Sequence, residues 1–468
     1  MRLRLLLLAL TASTGVIGLG QSFRSDEIWS LHTVALPFGS MMAQLRSDVH
    51  PPLYYLLLRL WVPLAGATEA GSRALSLLLH MAAGATVFLT AQRRLGPERA
   101  AVCAAVLLAS PLGSVAAQLV RMYTLLELTA ALSILFWLRF VEEDRLSWRW
   151  WAAFVAANIA GSFTHIWFFF LLAAVAVVHL ARWRTHRLGW MTLAAVPSLA
   201  PYGALWLPVL LAQAGRTADN LAWLKPPEWS APIEVALMQG GAAAVVAAVG
   251  LVFRRKETSV DATPWLLWLL ALGIPFAISF LQPVFWPRFT VVALPALALA
   301  LGTWISGRIS SRTALAAVVL PSILLTLVLA ATRSDECDAR WTARWLTTNV
   351  GSDDLVIFTN LSRLPVEHYL RPQSRVVASS IPAAIDAHPG YEGRIDPVSL
   401  DAEIQALTTR LSGSRAGSKL VLFHGFDPPT HARLTQALDQ RFRRETELCH
   451  KCESMLNYYR EITVWRTQ

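Results

Sequence analysis

Apolar residues arrive in blocks of roughly 18–22 along most of the chain, the length that crosses a ~30 Å hydrocarbon core as a helix. The blocks run near 4–21, 71–91, 100–118, 122–140, 150–164, 166–181, 188–210, 231–253, 263–281, 289–306 and 312–331. This pattern predicts about eleven membrane-spanning helices. The fifth and sixth blocks are short and nearly fused. After Thr332 the blocks stop and alternating polarity begins. The chain therefore reads as a membrane part over 1–332 and a soluble tail over 333–468.

The tail mixes two periods. Trp341 to Asn349 and residues 428–442 read as helices. Asp354 to Phe358, Arg375 to Ala378, Lys419 to Phe423 and Ile462 to Trp465 read as strands. The expected fold class is thus a polytopic α-helical membrane protein with a C-terminal α/β domain.

Composition agrees with this division. Hydrophobic residues make up 55% of the 468 and charged ones only 15%, where a soluble protein carries about a quarter. The net charge is +10. Most of the excess sits in short connections between blocks, where Arg and Lys set orientation rather than bind nucleic acid. Arg2 and Arg4 precede the first block. Alternate connections then carry Arg93, Arg94 and Arg99; Arg139, Arg145 and Arg149; Arg182, Arg184 and Arg187; Arg254, Arg255 and Lys256; Arg308 and Arg312. The intervening short connections carry only Arg121, then Arg216 and Lys225, then Arg288. By the positive-inside rule the N-terminus is cytoplasmic, and an odd number of spans leaves the tail extracytoplasmic. The expected location is the cell inner (plasma) membrane. Basic residues before an apolar run also describe a signal peptide, but the next segment reads as functionally tied to this first helix.

Four cysteines are present. Cys103 falls in a span as a small core residue. Cys337, Cys449 and Cys452 fall in the tail, where an oxidising compartment favours a disulfide whose pairing the spacing does not fix.

Two external loops stand out. The first, 22–70, is long and semi-apolar, and its runs Leu53 to Leu60 and Trp61 to Leu64 read as interfacial helices. The second, 211–230, holds Trp223 and Trp229 at a depth that suits lipid headgroups.

Charged residues at a membrane carry a functional hypothesis by default. Asp26 and Glu27 stand side by side just after the first block, and Asp48 and His50 follow in the same loop. Pro51-Pro52 forces an extended entry and then permits a helix to start at Leu53. Arg59, Arg73, Arg121 and Arg288 lie on the same face, against the positive-inside bias. A guanidinium fork suits phosphate, although pairing with Asp26, Glu27 or Asp48 accounts for any one of them equally well. His165 lies between the two closely spaced blocks and suits either a structural or a pocket-lining role. Acids beside anion-binding arginines, within reach of lipid, are what group transfer from a lipid phosphate needs. A carboxylate takes the proton of an attacking hydroxyl, and cations offset charge on the departing phosphate.

At these residues the sequence resembles the GT-C glycosyltransferases, in the protein O-mannosyltransferase and aminoarabinose-transferase branch (glycosyltransferase family 39-like). The matching features are Asp26-Glu27, His50-Pro51-Pro52-Leu53-Tyr54-Tyr55, Arg121-Met122-Tyr123, Thr164-His165 and Arg288-Phe289. The resemblance implies a GT-C membrane domain, a polyprenyl-phosphate-linked sugar donor and a lipid, glycan or protein acceptor outside the cytoplasm, with inversion at the anomeric carbon. Carried over, Asp26 is the catalytic carboxylate and Glu27 positions acceptor or donor. Asp48, His50, Tyr54, Tyr55, Arg59, Tyr123 and His165 shape the substrate site, and Arg121 and Arg288 hold the lipid phosphate. Some members use a divalent metal, for which Asp26, Glu27, Asp48 and His50 are the available donors; the sequence itself demands no cofactor. Phe289 stands where Tyr is commoner.

A secondary transporter or flippase for an anionic solute or lipid is the alternative. It would place charges at mid-span and repeat broken helices in matching halves, whereas the charges here cluster outside and no internal repeat is visible. A scaffold presenting the tail would have no use for the acidic pair.

Overall fold

The computed structural model describes residues 16, 18–47, 50–143, 145–183, 186–220, 224–250, 261–331, 339–359, 362–370, 377–383, 397–413, 417–424, 428–448 and 461–466. These fall into two compact units. One takes its residues from 1–20, 33–215 and 224–332, the other from 21–32, 216–223 and 333–468.

The first unit is helical. Among the described residues, four helical stretches are long and apolar enough to cross a membrane, Glu69–Leu108, Tyr123–Glu142, Pro287–Ser306 and Ser311–Val328. The number rises to six if each bent pair, Leu188–Leu205 with Leu207–Gln213 and Ala231–Gly240 with Ala242–Val249, is one span. This is the architecture of a multi-pass membrane protein. Other expected blocks appear in merged, bent or shorter form. The run Glu69–Leu108 joins two expected spans and breaks at Gly96 (φ 75°) before Pro97. The two bent pairs turn by 53° and 102° at their breaks. The nearly fused blocks become Trp148–Ser162 and Phe168–Arg182, 15 residues each, about 22 Å at 1.5 Å per residue. The first block, 4–21, lies almost wholly outside the described residues.

Inside this unit, polar groups join helices. Ser133 Oγ donates to Asn158 Oδ1 at 2.8 Å, and Asn158 Nδ2 donates to Ser198 Oγ at 3.3 Å, linking three helices. Near the expected cytoplasmic side, Arg94 pairs with both Glu142 and Asp261, and Arg182 reaches Asp261 at 3.4 Å. Arginines expected as orientation signals thus also bind carboxylates there. Helix Leu294–Ser306 packs closely on Glu69–Leu108: a Cβ on Gly302 would lie 2.5 Å from the Cα of Cys103. Cys103 is buried with a free thiol, while Cys337, Cys449 and Cys452 lie outside the described residues.

The second unit contains a five-stranded sheet in the order β2-β1-β3-β5-β4. Its strands are β1 Leu355–Thr359, β2 Val377–Ile381, β3 Lys419–His424, β4 Arg443–Leu448 and β5 Glu461–Arg466. The first three are parallel and the last two antiparallel. Period-2 alternation sorts the faces. Val356, Phe358, Val421, Phe423, Ile462 and Val464 face helices Ala339–Asn349 and Arg363–Tyr369. Leu355, Ile357, Leu420, Leu422 and Trp465 face helices Pro397–Ser412 and Pro428–Asp439. Both faces are covered, so the central strands read as continuous apolar runs.

Candidate functional site

The helical unit gathers several of the candidate residues around one buried arginine. Pro51-Pro52 leads into helix Leu53–Ala65 as expected, and the Leu53 amide is tied to the Phe163 carbonyl at 3.0 Å. His50 therefore arrives beside the break at Thr164-His165. Arg121, 7% exposed, lies in the turn before helix Tyr123–Glu142. It donates to His50 Nε2 at 2.7 Å and to the Tyr55 hydroxyl at 3.3 Å.

This geometry fixes protons. Arginine only donates, so His50 Nε2 must accept and its proton sits on Nδ1. The Trp167 amide donates to His165 Nδ1 at 3.1 Å, which leaves the proton of His165 on Nε2. Loss of solvation, the Arg121 cation and then His165 hold His50 well below the usual histidine range. Burial and Arg121 bring His165 down to about 3. Both imidazoles are neutral at pH 7, and the guanidinium provides the local positive charge.

Aromatic rings close one side. His165 lies 5.7 Å from His50, 6.4 Å from Tyr123 and 4.8 Å from Phe289, centroid to centroid. Phe289 and Arg288 sit on the tight turn Pro287–Ala293. Sequence reasoning missed what fixes that turn. Gln239 Nε2 donates to the Thr290 carbonyl at 2.8 Å, and Trp268 Nε1 donates to Gln239 Oε1 at 2.8 Å. Tyr54 does a related job. Ser76 Oγ donates to the Leu119 carbonyl at 2.6 Å, so at 3.3 Å the Tyr54 hydroxyl is the donor to Ser76. That chain holds the segment leading to Arg121.

Other arginines on the expected outer face serve backbone. Arg59 donates to the carbonyls of Val34 and Leu36 at 2.7 and 2.5 Å, at the end of helix Ser25–Ala35. Arg73, 1% exposed, donates to those of Gly18 and Leu19. Cations at a helix C-terminus satisfy carbonyls that lack an intrahelical donor.

Asp26 and Glu27 are grouped with the second unit. They occupy the first turn of Ser25–Ala35. Glu27 is fully buried, and its Oε2 accepts from the Arg24 amide at 3.0 Å, the backward half of a capping box. Asp26 is half-buried, and its carbonyl accepts from Ser30 Oγ at 2.8 Å. The two residues thus differ: Glu27 is fully buried in the helix start, and Asp26 is half-buried. Asp48 lies outside the described residues. Among the described residues no group of three or more His, Cys, Asp and Glu is placed to hold a metal ion.

Sequence reasoning also missed a polar pair inside the spans. His80 Nδ1 and Glu127 Oε2 meet at 2.8 Å, with side chains 2% and 0% exposed. A lone carboxylate in the apolar run Tyr123–Glu142 was the available signal.

Known proteins share this fold and part of this sequence. The family model described as dolichyl-phosphate-mannose-protein mannosyltransferase matches residues 49–206, the stretch from just before His50 to beyond His165. The chain also shares its fold with ArnT from Cupriavidus metallidurans in the apo state, at TM-score 0.63 and 14% identity, over 98% of this chain and 97% of that one. The same protein bound to undecaprenyl phosphate matches at TM-score 0.61 and 14% identity, with the same coverage. The Archaeoglobus fulgidus oligosaccharyltransferase, in complex with Zn and sulfate, matches at TM-score 0.50 and 11% identity, over 97% of this chain and 72% of that one. No curated protein matches by sequence. The chain thus shares the fold of the ArnT and oligosaccharyltransferase structures, and its segment around Arg121 is similar to the protein mannosyltransferase model.

Proposed function

We propose that this protein transfers a sugar from a polyprenyl-phosphate donor to an acceptor on the extracytoplasmic face of the inner membrane, with inversion. The observation that carries the reading is the buried Arg121 guanidinium, flanked by two neutral histidines in a chain of GT-C fold. A buried guanidinium suits a lipid phosphate, because the desolvated site strengthens its attraction for an anion. The binding of undecaprenyl phosphate by the ArnT protein of the same fold supports this.

In the proposed reaction the acceptor hydroxyl oxygen attacks the anomeric carbon. The bond from that carbon to the phosphate oxygen breaks, and its electron pair leaves with the lipid phosphate. Asp26, in the first turn of its helix, takes the hydroxyl proton. Glu27, buried in the cap, holds that turn. Arg121, with Arg288, offsets the charge growing on the leaving phosphate, while His50, Tyr55, Tyr123 and His165 shape the pocket. The acceptor is a lipid, glycan or protein.

The test is release of free polyprenyl phosphate from a panel of polyprenyl-phosphate sugars, with membrane lysate as acceptor source, with and without EDTA. Wild type should release it from at least one donor, and folded Asp26→Asn should not. EDTA decides whether a divalent metal takes part. Absence of release with every donor, from folded protein, would overturn the proposal and favour transport of an anionic lipid.

A further inference from the structure

The turn that carries the acidic pair is mounted on the C-terminal unit. Phe23 is 2% exposed, and its ring meets His368 edge-on at 5.5 Å. Its amide donates to the Tyr369 hydroxyl at 2.8 Å. His368 and Tyr369 close helix Arg363–Tyr369, whose Val366 is buried against Val356 and Phe358 of the sheet. The Arg340 guanidinium lies over the Tyr369 ring at 5.2 Å, so the phenol is held from its other side.

From Phe23 the chain has little freedom before Asp26. The Arg24 amide is bound to Glu27 Oε2, and the Arg24 carbonyl accepts from the amides of both Glu27 and Ile28, at 3.1 and 3.0 Å. Phe23, the cap and the first helical turn therefore move as one piece. The same unit that holds the sheet includes residues 21–32, so this piece belongs to the tail by packing although it lies more than 300 residues away in sequence.

We propose that Tyr369 is a positioning residue: through the Phe23 amide it sets the place of the Asp26 carboxylate, and the C-terminal domain is the mount for the acid of the first external loop. This rests on the reading of Asp26 as the base. It gives the tail a task in the reaction without contact to donor or acceptor. A reacting group displaced by about 1 Å loses on the order of a hundredfold in rate, so one hydrogen bond at the root of the turn is enough to matter.

The experiment pairs hydrogen exchange with kinetics on the full-length protein. In wild type the Phe23 amide should be protected. Tyr369→Phe keeps the ring against Arg340 and removes the hydroxyl that accepts from Phe23, so exchange at Phe23 should quicken about tenfold, the scale of one net hydrogen bond. kcat should fall about tenfold or more, with KM for the donor unchanged and the melting temperature held. Should Tyr369→Phe fold poorly, Phe23→Leu loosens the same contact from the other side and should give the same split. Unchanged exchange at Phe23, or faster exchange with unchanged kcat, would overturn the proposal. Asp26→Asn, run alongside, separates the two readings. If it is inactive and Tyr369→Phe is fully active, only the mount is wrong; if it is fully active, Asp26 is not the base and the mount, even with faster exchange, has no bearing on rate.

Discussion

Arg121 donates to His50 Nε2 at 2.7 Å, and this one bond orders both the charge and the tautomer of the pocket. The same guanidinium reaches the Tyr55 hydroxyl, so two directions of its fork are occupied by side chains from one segment. Lysine supplies a cation but no fork. Arg121→Lys should therefore weaken binding of a polyprenyl phosphate about tenfold, and Arg121→Ala about a hundredfold, the scale of a charge-assisted hydrogen bond. Titration of the purified protein with undecaprenyl phosphate reads both. Equal affinities for wild type and Arg121→Ala would remove Arg121 from the phosphate site.

Stability should fall in mild acid. His165 has its folded-state pKa brought down to about 3 by burial and Arg121, and that of His50 moves the same way. The unfolded chain takes up a proton near pH 6.5 that the folded chain refuses. The contribution is complete above that value and is lost progressively as pH drops toward 3. For His165 alone this is about 2 kcal/mol between pH 7 and pH 5. Thermal unfolding in detergent at the two pH values should show the drop, and His165→Phe should reduce it. An acid slope unchanged in His165→Phe would mean that His165 is charged in the folded protein.

Much of this site was legible from a few residues. The Pro51-Pro52 pair predicted where helix Leu53–Ala65 begins, because proline restricts the backbone whatever surrounds it. The basic residues opposing the positive-inside bias directed attention to Arg121, Arg59 and Arg73. What each arginine binds was not legible: Arg59 and Arg73 bond carbonyls close to Leu36 and Gly18, contacts set by tertiary packing. The separation of blocks 71–91 and 100–118 anticipated the break at Gly96, whereas hydropathy does not register a bend such as the 102° turn at Gly241. In the tail the expected helix at 341–349 and strand at 419–423 appear as Ala339–Asn349 and Lys419–His424. Strand β4, Arg443–Leu448, escaped notice because RRETEL has the composition of a surface helix. Its strand state comes from pairing with β5.

Close helix packing makes a separate prediction. At Gly302 a Cβ would stand 2.5 Å from Cys103 Cα and 2.8 Å from its backbone nitrogen, and backbone atoms cannot rotate aside. Gly302→Ala should force helices Leu294–Ser306 and Glu69–Leu108 apart and cost about 1–3 kcal/mol. The melting temperature should drop, and Cys103 should become reactive to a thiol reagent. A variant as stable as wild type with Cys103 still protected would show that the helices can separate at no cost.

The His80–Glu127 pair joins two long helices, Glu69–Leu108 and Tyr123–Glu142, where neither side chain meets water. Glu127 Oε1 has no hydrogen-bond partner among the described residues, so the carboxylate depends on His80. Burial of a carboxylate is tolerable only while its partner is present. Glu127→Ala or His80→Ala should therefore destabilise strongly, by about 3–5 kcal/mol, because each leaves a buried polar group without its partner. Glu127→Gln keeps the shape and can still bond the imidazole, so its cost should be nearer 1 kcal/mol. Replacing both at once, His80→Phe with Glu127→Leu, removes both polar groups and refills the volume, and should recover most of the loss. Thermal unfolding of the four variants in one detergent gives the cycle. If the double replacement is as unstable as Glu127→Ala, side-chain volume rather than the pair holds these helices together; if Glu127→Ala melts like wild type, the carboxylate contributes nothing to the helix contact.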